Sequence, residues 1–473
     1  MFAICWRNML FNTPQFFAFL LVVLVLFYAS PRGARKWILL AASYFFYMSW
    51  NPKFIALLLT LTAIDYTAAL AIERNSGARR KLFLIAGLTG NLGFLGFFKY
   101  YNFLGDNLAL LLGRPPHSFA LAIILPLGIS FHTFQSMSYI VDVYRGQQKP
   151  IRNPVEYALF IAFFPQLVAG PIVRAREFFA DLYAWRPPVN AEQLRGILLI
   201  VLGLAKKMVL ADQFAQIADL YFAHAGGHPG AASAWKGTGA FALQIFFDFS
   251  GYSDMAIGMA LLLGFHFPQN FRRPYLAFSI TDFWHRWHMS LSRWLRDYLY
   301  IPLGGNRHGT LKTYRNLMLT MLLGGLWHGA SWNFAIWGGY HGALLAVERM
   351  AGRKFFEREP PVWIYPFRVL FTVALVTIGW VFFRAANFAD SRYIIGQMFS
   401  HWRGTDPIAI PVWLRWLAVL SLLVALAEEK FEITERLVKG PAWAYAGALI
   451  AFFFAIELFG VTDKQIPFVY FQF

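Results

Sequence analysis

The sequence predicts an all-α polytopic membrane protein that includes re-entrant or interfacial helices, and three observations predict it. Of 473 residues, 58% are hydrophobic and 14% are charged, whereas soluble domains carry about 25% charge. Apolar runs that approach the length needed to cross a ~30 Å hydrocarbon core recur along the whole chain. The run 316–347 contains no Asp, Glu, Lys or Arg.

Taken in order, the apolar runs are 16–28, 36–50, 54–72 and 119–139, the uncharged stretch 316–347, then 367–383, 413–427 and 443–459. With the shorter runs between them, they predict roughly 10 to 13 membrane segments. The first run leads straight into further spans and has no small-residue cleavage site, so it reads as a retained helix. The polar connectors are short, the sizeable ones being 174–193, 223–236 and 352–361. No repeat or low-complexity linker divides the chain, which predicts one membrane domain over residues 1–473.

The net charge of +17 does not point to nucleic acid, because Lys and Arg sit in connectors between apolar runs and not on one soluble face. Basic clusters at 32–36, 74–81 and 145–152 fall in alternate connectors, while the turn at 50–52 is nearly neutral. The positive-inside rule places those clusters in the cytoplasm and the N-terminus outside. The partner this composition implies is the lipid bilayer. The single cysteine, Cys5, excludes an intrachain disulfide and a cysteine-ligated metal.

Two histidines stand out. His328 lies at the centre of the uncharged stretch, in GGLWHGAS, where an imidazole needs a partner or a task. One reading joins two helices through a hydrogen bond; the other places the ring for chemistry. The glycines around it and Asn333 favour the second, with a tunnel for a thin substrate, because they remove bulk where packing would favour Leu.

His288 lies in FWHRWHMSLSRWLRDYLYIPLGG. At ~100° per residue, a helix over 282–298 places Trp284, Trp287, Leu291, Trp294, Leu295 and Tyr298 on one side. Asp282, His285, Arg286, Arg293, Arg296 and Asp297 fall on the other, so the helix is amphipathic and lies at an interface or against a cavity. His288 goes with the apolar side. An interfacial anchor is the plain alternative for it. His285 and His288 lack a third ligand at suitable spacing, which argues against a metal. Other polar groups inside apolar segments, His132, Gln135, Gln166, Asp248, Ser250, Asp254 and His341, require pairing; Asp248 and Asp254 are expected to meet Arg residues of the His288 segment. A nucleophile elbow, a phosphate-binding loop and a dinucleotide fingerprint are all lacking.

These residues fall within motifs that resemble the membrane-bound O-acyltransferase (MBOAT) family, in its bacterial branch of alginate O-acetyltransferase and teichoic-acid D-alanylation proteins. The resemblance runs through LPLGISFHTFQSMSYIVDVYRG, FFPQLVAGPIVRAREF, FDFSGYSDMAIGMALLLGF, DFWHRWHMSLSRWLRDYLYIPLGGNR, GLWHGASWNFAIWGGYHG and GWVFFRA, in that order. It implies a helical bundle around a funnel or tunnel, with a cytoplasmic acyl donor and an acceptor from the opposite face. It also implies that His328 is the family's active-site histidine and that His288 occupies the second active-site position, while His285 stands where many relatives carry Arg or Asn.

The activity implied is transfer of an acetyl group from a cytoplasmic thioester, acetyl-CoA, across the bacterial inner membrane to a secreted or cell-wall polysaccharide. The donor is a substrate, and no permanently bound cofactor is expected. Arg286, Arg293 and Arg296, with Arg272 and Arg273, are candidates for the phosphates of coenzyme A, against plain interfacial anchoring. An SGNH-type periplasmic transferase or esterase is the implied partner. Two alternatives remain at this point: transfer of D-alanine or another acyl group to teichoic acid, lipid or peptide, and a transporter that makes and breaks no bond.

Overall fold

The computed structural model describes residues 9–402, 408–462 and 466–469, without the side chains of Arg353 and Lys354; Cys5 lies outside this range. The described residues form helices and connectors with no strand among them, as the composition requires. Among the described residues, five helical stretches are long and apolar enough to cross a membrane: Phe54–Arg74, Gly77–Leu111, Ala231–Leu262, Tyr365–Arg384 and Ala442–Phe459. The chain forms two compact units, one of Met1–Ile197 and Met255–Pro268, the other of Leu198–Asp254 and Gln269–Phe473.

The first unit contains α1 (Pro14–Ala29), α2 (Arg32–Met48), α3 (Phe54–Arg74), α4 (Gly77–Leu95), α5 (Tyr101–Leu111), α6 (Ile129–Tyr144), α7 (Pro154–Ala162) and α8 (Ala175–Tyr183), and the first half of α9 (Asn190–Ala205). Thr13 starts α1 by accepting the Phe16 amide at 3.3 Å on its hydroxyl, and Pro14 supplies a first-turn residue whose missing N–H is no loss. Phe11, Phe16, Phe19, Phe46 and Phe164 pack as an aromatic cluster of tilted and edge-on rings.

The apolar run 119–139 is not one span. Residues 120–126 are non-helical and α6 begins only at Ile129. Pro126 interrupts the hydrogen-bond ladder, and Gly128 adopts φ +72° where a side chain would overlap the Leu167 carbonyl. The runs 16–28 and 36–50, by contrast, form the unbroken helices α1 and α2 of 16 and 17 residues, short of the ~20 residues that a crossing needs.

At one end of this unit, Arg186 grips Glu192 through two bonds of 2.9 and 2.7 Å, which hold the Glu192 carboxyl down at about 2. His266 bridges Asp181 and Glu192, each at 3.1 Å from a ring nitrogen. Partial burial by itself weakens its hold on a proton, but the bonds to Glu192 and Asp181 outweigh that and raise its affinity above the ordinary imidazole value.

The second unit contains α10 (Asp212–Ala223), most of α11 (Ala231–Leu262), α12 (Ile280–Arg286), α13 (Met289–Leu295), α14 (Thr310–His328), α15 (Trp332–Glu357), α16 (Tyr365–Arg384), α17 (Phe388–Met398), α18 (Val412–Phe431), α19 (Ile433–Lys439) and α20 (Ala442–Phe459). The expected Arg partners of Asp248 and Asp254 are corrected here. Asp248 pairs with Lys207 at 2.8 Å and Asp254 with Lys206 at 2.5 Å. The reason is proximity: a π-helical turn over Lys206–Ala211 turns both lysines onto α11. Lys207 also meets Asp212 at 2.7 Å, and Asp248 accepts the Val469 amide at 2.8 Å, so each buried charge is met by an opposite charge or a hydrogen bond.

The His266 bridge predicts a pH dependence. A raised folded-state affinity stabilises fully below the unfolded imidazole value of about 6.5, and the contribution is lost as pH rises through the higher folded value. Thermal unfolding of the purified protein between pH 6 and 8 should show the midpoint falling more steeply in wild type than in His266→Asn; parallel curves would contradict it.

Candidate active site

Helices α14 and α15 form a hairpin whose turn, Gly329 to Ser331, directly follows His328. The hairpin is possible because small residues meet along it. A Cβ on Gly325 would overlap the Phe334 carbonyl oxygen, one on Gly338 would overlap the Met321 carbonyl oxygen, and one on Gly329 would strike the Phe334 ring. The glycines expected to open a tunnel instead bring two backbones together. Asn333, expected with them, donates to the Ala385 carbonyl at 3.0 Å and to Ser391 at 3.2 Å, which ties the hairpin to the end of α16.

His328 is buried, 5% exposed. Its ring lies edge-on to Trp337 and Phe383, each with centroids at 5.2 Å, and 4.9 Å from Trp327. His288 is fully buried against Phe249 at 4.7 Å, and Trp327 lies 6.3 Å away. The two histidines therefore flank one tryptophan.

The segment expected as one amphipathic helix over 282–298 is two helices and a π turn. The break falls at His288, which sits in the left-handed region at φ 42° and ψ 54°. Its Nδ1 accepts the Leu291 amide at 3.2 Å, capping α13; this local bond competes with helix continuation. It also fixes the tautomer: with Nδ1 accepting, the proton of the neutral ring is on Nε2. Burial lowers the ring's proton affinity below its ordinary value, so the neutral form is the one present. The wheel still sorted faces correctly, with Trp287, Leu291, Trp294 and Leu295 buried and His285 and Arg296 exposed.

Two anchors that sequence patterning does not reveal set this geometry. Asn270 accepts the Ser290 amide at 3.2 Å and hydroxyl at 2.9 Å, and donates to Ser253 at 3.2 Å. Glu348 of α15 accepts the Ile280 amide at 2.6 Å and the Thr281 amide at 2.9 Å, placing a carboxylate on the N-terminal donors of α12. Nothing in the local sequence marks either residue, since their partners are 20 and 68 positions away.

A cavity of about 420 Å³ is lined by His285, Arg293, Arg296 and Arg349, by the carboxylates of Glu348 and Glu357, and by apolar residues that include Trp284, Leu295 and Met321. Trp284 stands between this cavity and the histidine, packing on Trp337 at 5.8 Å while Trp337 packs on His328. Both indole nitrogens, and both ring nitrogens of His341, are buried without a hydrogen-bond partner, and His341 touches both indoles at 5.3 and 5.0 Å. This group of unused polar atoms was legible only as a single histidine in WGGYHG.

The arginines separate. Arg293 and Arg296 line the cavity, and Arg296 pairs with Asp297 at 2.7 Å. Arg286 is not among the lining residues; it is held by Asp282 at 2.9 Å and Glu429 at 3.1 Å. Arg273 bonds the same Glu429, and Arg272 lies 3.8 Å from it. Those three fasten α18 to α12 and to the segment that leads into it.

Fold and site together fit a multi-pass membrane enzyme built around a buried imidazole. The chain belongs to the membrane-bound O-acyltransferase family, which it matches over residues 147–389, and it is therefore an acyltransferase, not a bond-neutral transporter. It is 45% identical over 424 residues to the probable alginate O-acetylase AlgI of Azotobacter vinelandii, covering 88% of this chain and 83% of that protein. It is 40% identical over 431 residues to the peptidoglycan O-acetyltransferase of Helicobacter pylori, at 82% and 80% coverage. It is also 32% identical over 259 residues to the teichoic acid D-alanyltransferase of Bacillus subtilis, covering 52% of this chain and 62% of that one.

The hairpin contact predicts that Gly338→Ala lowers unfolding free energy by about 3 kcal/mol through overpacking. Gly339→Ala should be neutral or stabilising by up to ~1 kcal/mol, because its Cβ would make an ordinary 3.4 Å contact with Leu322. Denaturant titration of the two variants in micelles separates the close-packed position from its neighbour.

Proposed function

We propose that this acyltransferase moves an acetyl group from cytoplasmic acetyl-CoA to the hydroxyls of a secreted or cell-wall polysaccharide at the bacterial inner membrane. The observation that carries the reading is the placement of His328 at the turn of the glycine hairpin, with Trp337 and Trp284 between it and a cavity whose lining includes Arg293, Arg296 and Arg349 beside Glu348 and Glu357. The higher identity and wider coverage of the O-acetylating relatives favour acetyl over D-alanyl transfer.

In this reading the neutral His328 imidazole takes the proton from the attacking hydroxyl. The oxygen bonds to the thioester carbonyl carbon, the C–S bond breaks, and the proton passes from the imidazolium to the departing thiolate. His288 presents Nε2–H as a donor to the developing oxyanion, a role worth about 3 to 4 kcal/mol where such donors have been removed. The N–H groups of Trp284, Trp337 and His341 offer the acyl carbonyl polar contacts on the way in from the cavity, provided Trp284 swings aside. Arg293 and Arg296 meet the donor's phosphates by charge-assisted bonds, while Arg286 serves the architecture. A periplasmic SGNH-type partner would hand the acetyl group to the polymer.

Two experiments test this. Mass analysis of the polysaccharide from cells carrying His328→Ala should find normal membrane insertion and no O-acetyl groups, and His288→Ala should reduce the rate about 100-fold or more; near-normal acetylation in the first would end the assignment. Steady-state kinetics of Arg293→Ala should raise the KM for acetyl-CoA about tenfold, the worth of one charge-assisted bond, with kcat little changed. An unchanged KM would remove Arg293 from the donor site.

A further inference from the structure

The cavity beside the active site holds a third arginine that the sequence motifs did not single out. Arg349 lies on α15 just after Glu348 and four positions after Leu345, and all three line the cavity, a spacing that places them on one helix face. Most of the other charged groups around this space are committed. Glu348 accepts the Ile280 amide at 2.6 Å, the Thr281 amide at 2.9 Å and the Thr281 hydroxyl at 2.8 Å. Arg296 is held by Asp297 at 2.7 Å, and Arg293 and Glu357 each have a further interaction of their own. Arg349 differs: among the described residues no hydrogen bond or ion pair reaches its guanidinium. Elsewhere in this unit Arg273, Arg286 and Arg384 are all fastened to carboxylates. A guanidinium that lines a cavity without a counter-charge favours an anionic ligand, and its planar fork of donors suits a phosphate.

Its place along α15 says where on the ligand that anion lies. Trp337, which packs on His328 with ring centroids at 5.2 Å, stands twelve residues earlier on the same helix, a rise of about 18 Å. A long side chain leans toward the helix N-terminus, which brings the guanidinium somewhat back toward Trp337. A donor whose acyl carbon reaches His328 while its anion rests on Arg349 must hold the two nearly that far apart. In a pantetheine thioester the arm from sulfur to the 4′-phosphate is about thirteen covalent bonds, or about 15 Å at the ~1.2 Å per bond of an extended chain. That length matches. Acetyl phosphate, with its anion next to the acyl group, cannot meet both residues, and the 3′-phosphate of coenzyme A lies beyond the end of the arm.

We infer that Arg349 reads the phosphate at the near end of a phosphopantetheine-type arm and so determines specificity for the donor, an inference that rests on the reading of this cavity as the donor site. Full-length protein in micelles is unfolded thermally in rising concentrations of coenzyme A, 4′-phosphopantetheine or pantetheine, because a ligand that binds only the folded state raises the midpoint with concentration. In wild type the first two should half-saturate at similar concentrations, and pantetheine, which has the arm without the phosphate, at least tenfold higher. Arg349→Ala should raise the half-saturating concentrations of coenzyme A and 4′-phosphopantetheine at least tenfold and leave that of pantetheine unchanged. Arg349→Lys keeps the charge without the planar fork; it should show a smaller loss for the same two probes, and it stays informative should Arg349→Ala fail to fold. A wild-type midpoint indifferent to all three probes overturns the donor-site reading and this inference with it. Wild-type binding that both variants leave unaltered, or weaken equally for pantetheine, overturns the inference alone. So does 4′-phosphopantetheine that binds wild type no tighter than pantetheine, since the phosphate in contact would then belong to the nucleotide end of coenzyme A.

Discussion

The contact on which the site depends is between two backbones. Gly325 and Gly338 let α14 and α15 approach until peptide carbonyls take the space where side chains would stand. In lipid, helices gain nothing from hiding apolar surface from water, so close van der Waals approach of this sort is a main source of their association. The approach draws the chain into a tight turn after His328, and the turn puts the ring among Trp327, Trp337 and Phe383 instead of on the outside of a long helix. A buried imidazole follows from that packing.

Around this hairpin the polar groups are satisfied by remote partners. Glu348 closes the open end of α12, Asn270 that of α13, and Glu429 gathers three arginines. Each arrangement meets the same constraint, that backbone donors and charges out of reach of water must be bonded internally. The exceptions carry information for that reason. The indoles of Trp284 and Trp337 and the ring of His341 leave donors unused beside the catalytic candidate.

Much of the fold was legible because hydrophobicity is local. Runs such as 54–72, 367–383 and 443–459 became α3, α16 and α20 within a few residues. The amphipathic wheel over 282–298 put the buried and exposed side chains on the correct sides even though the helix is broken at His288. The break itself was not legible, because it comes from a left-handed residue whose own ring caps the next helix, and no propensity encodes that for histidine. The run 119–139 failed for a related reason: its Pro126 and Gly128 were visible, but the Leu167 backbone that presses on Gly128 was not.

The sequence by itself determined the solvent this protein lives in, the positions of its long helices, the family it resembles and the two histidines to examine, since each is carried by composition or by residues close together in the chain. Tertiary structure alone decided that the glycines seal a hairpin instead of opening a channel, that Arg293 faces a cavity while Arg286 fastens helices, and that Asp248 and Asp254 belong to lysines. Those outcomes depend on which of several equally suitable partners arrives within about 3 Å, and hydrogen bonds and ion pairs fall off too steeply with distance for one-dimensional spacing to choose among them.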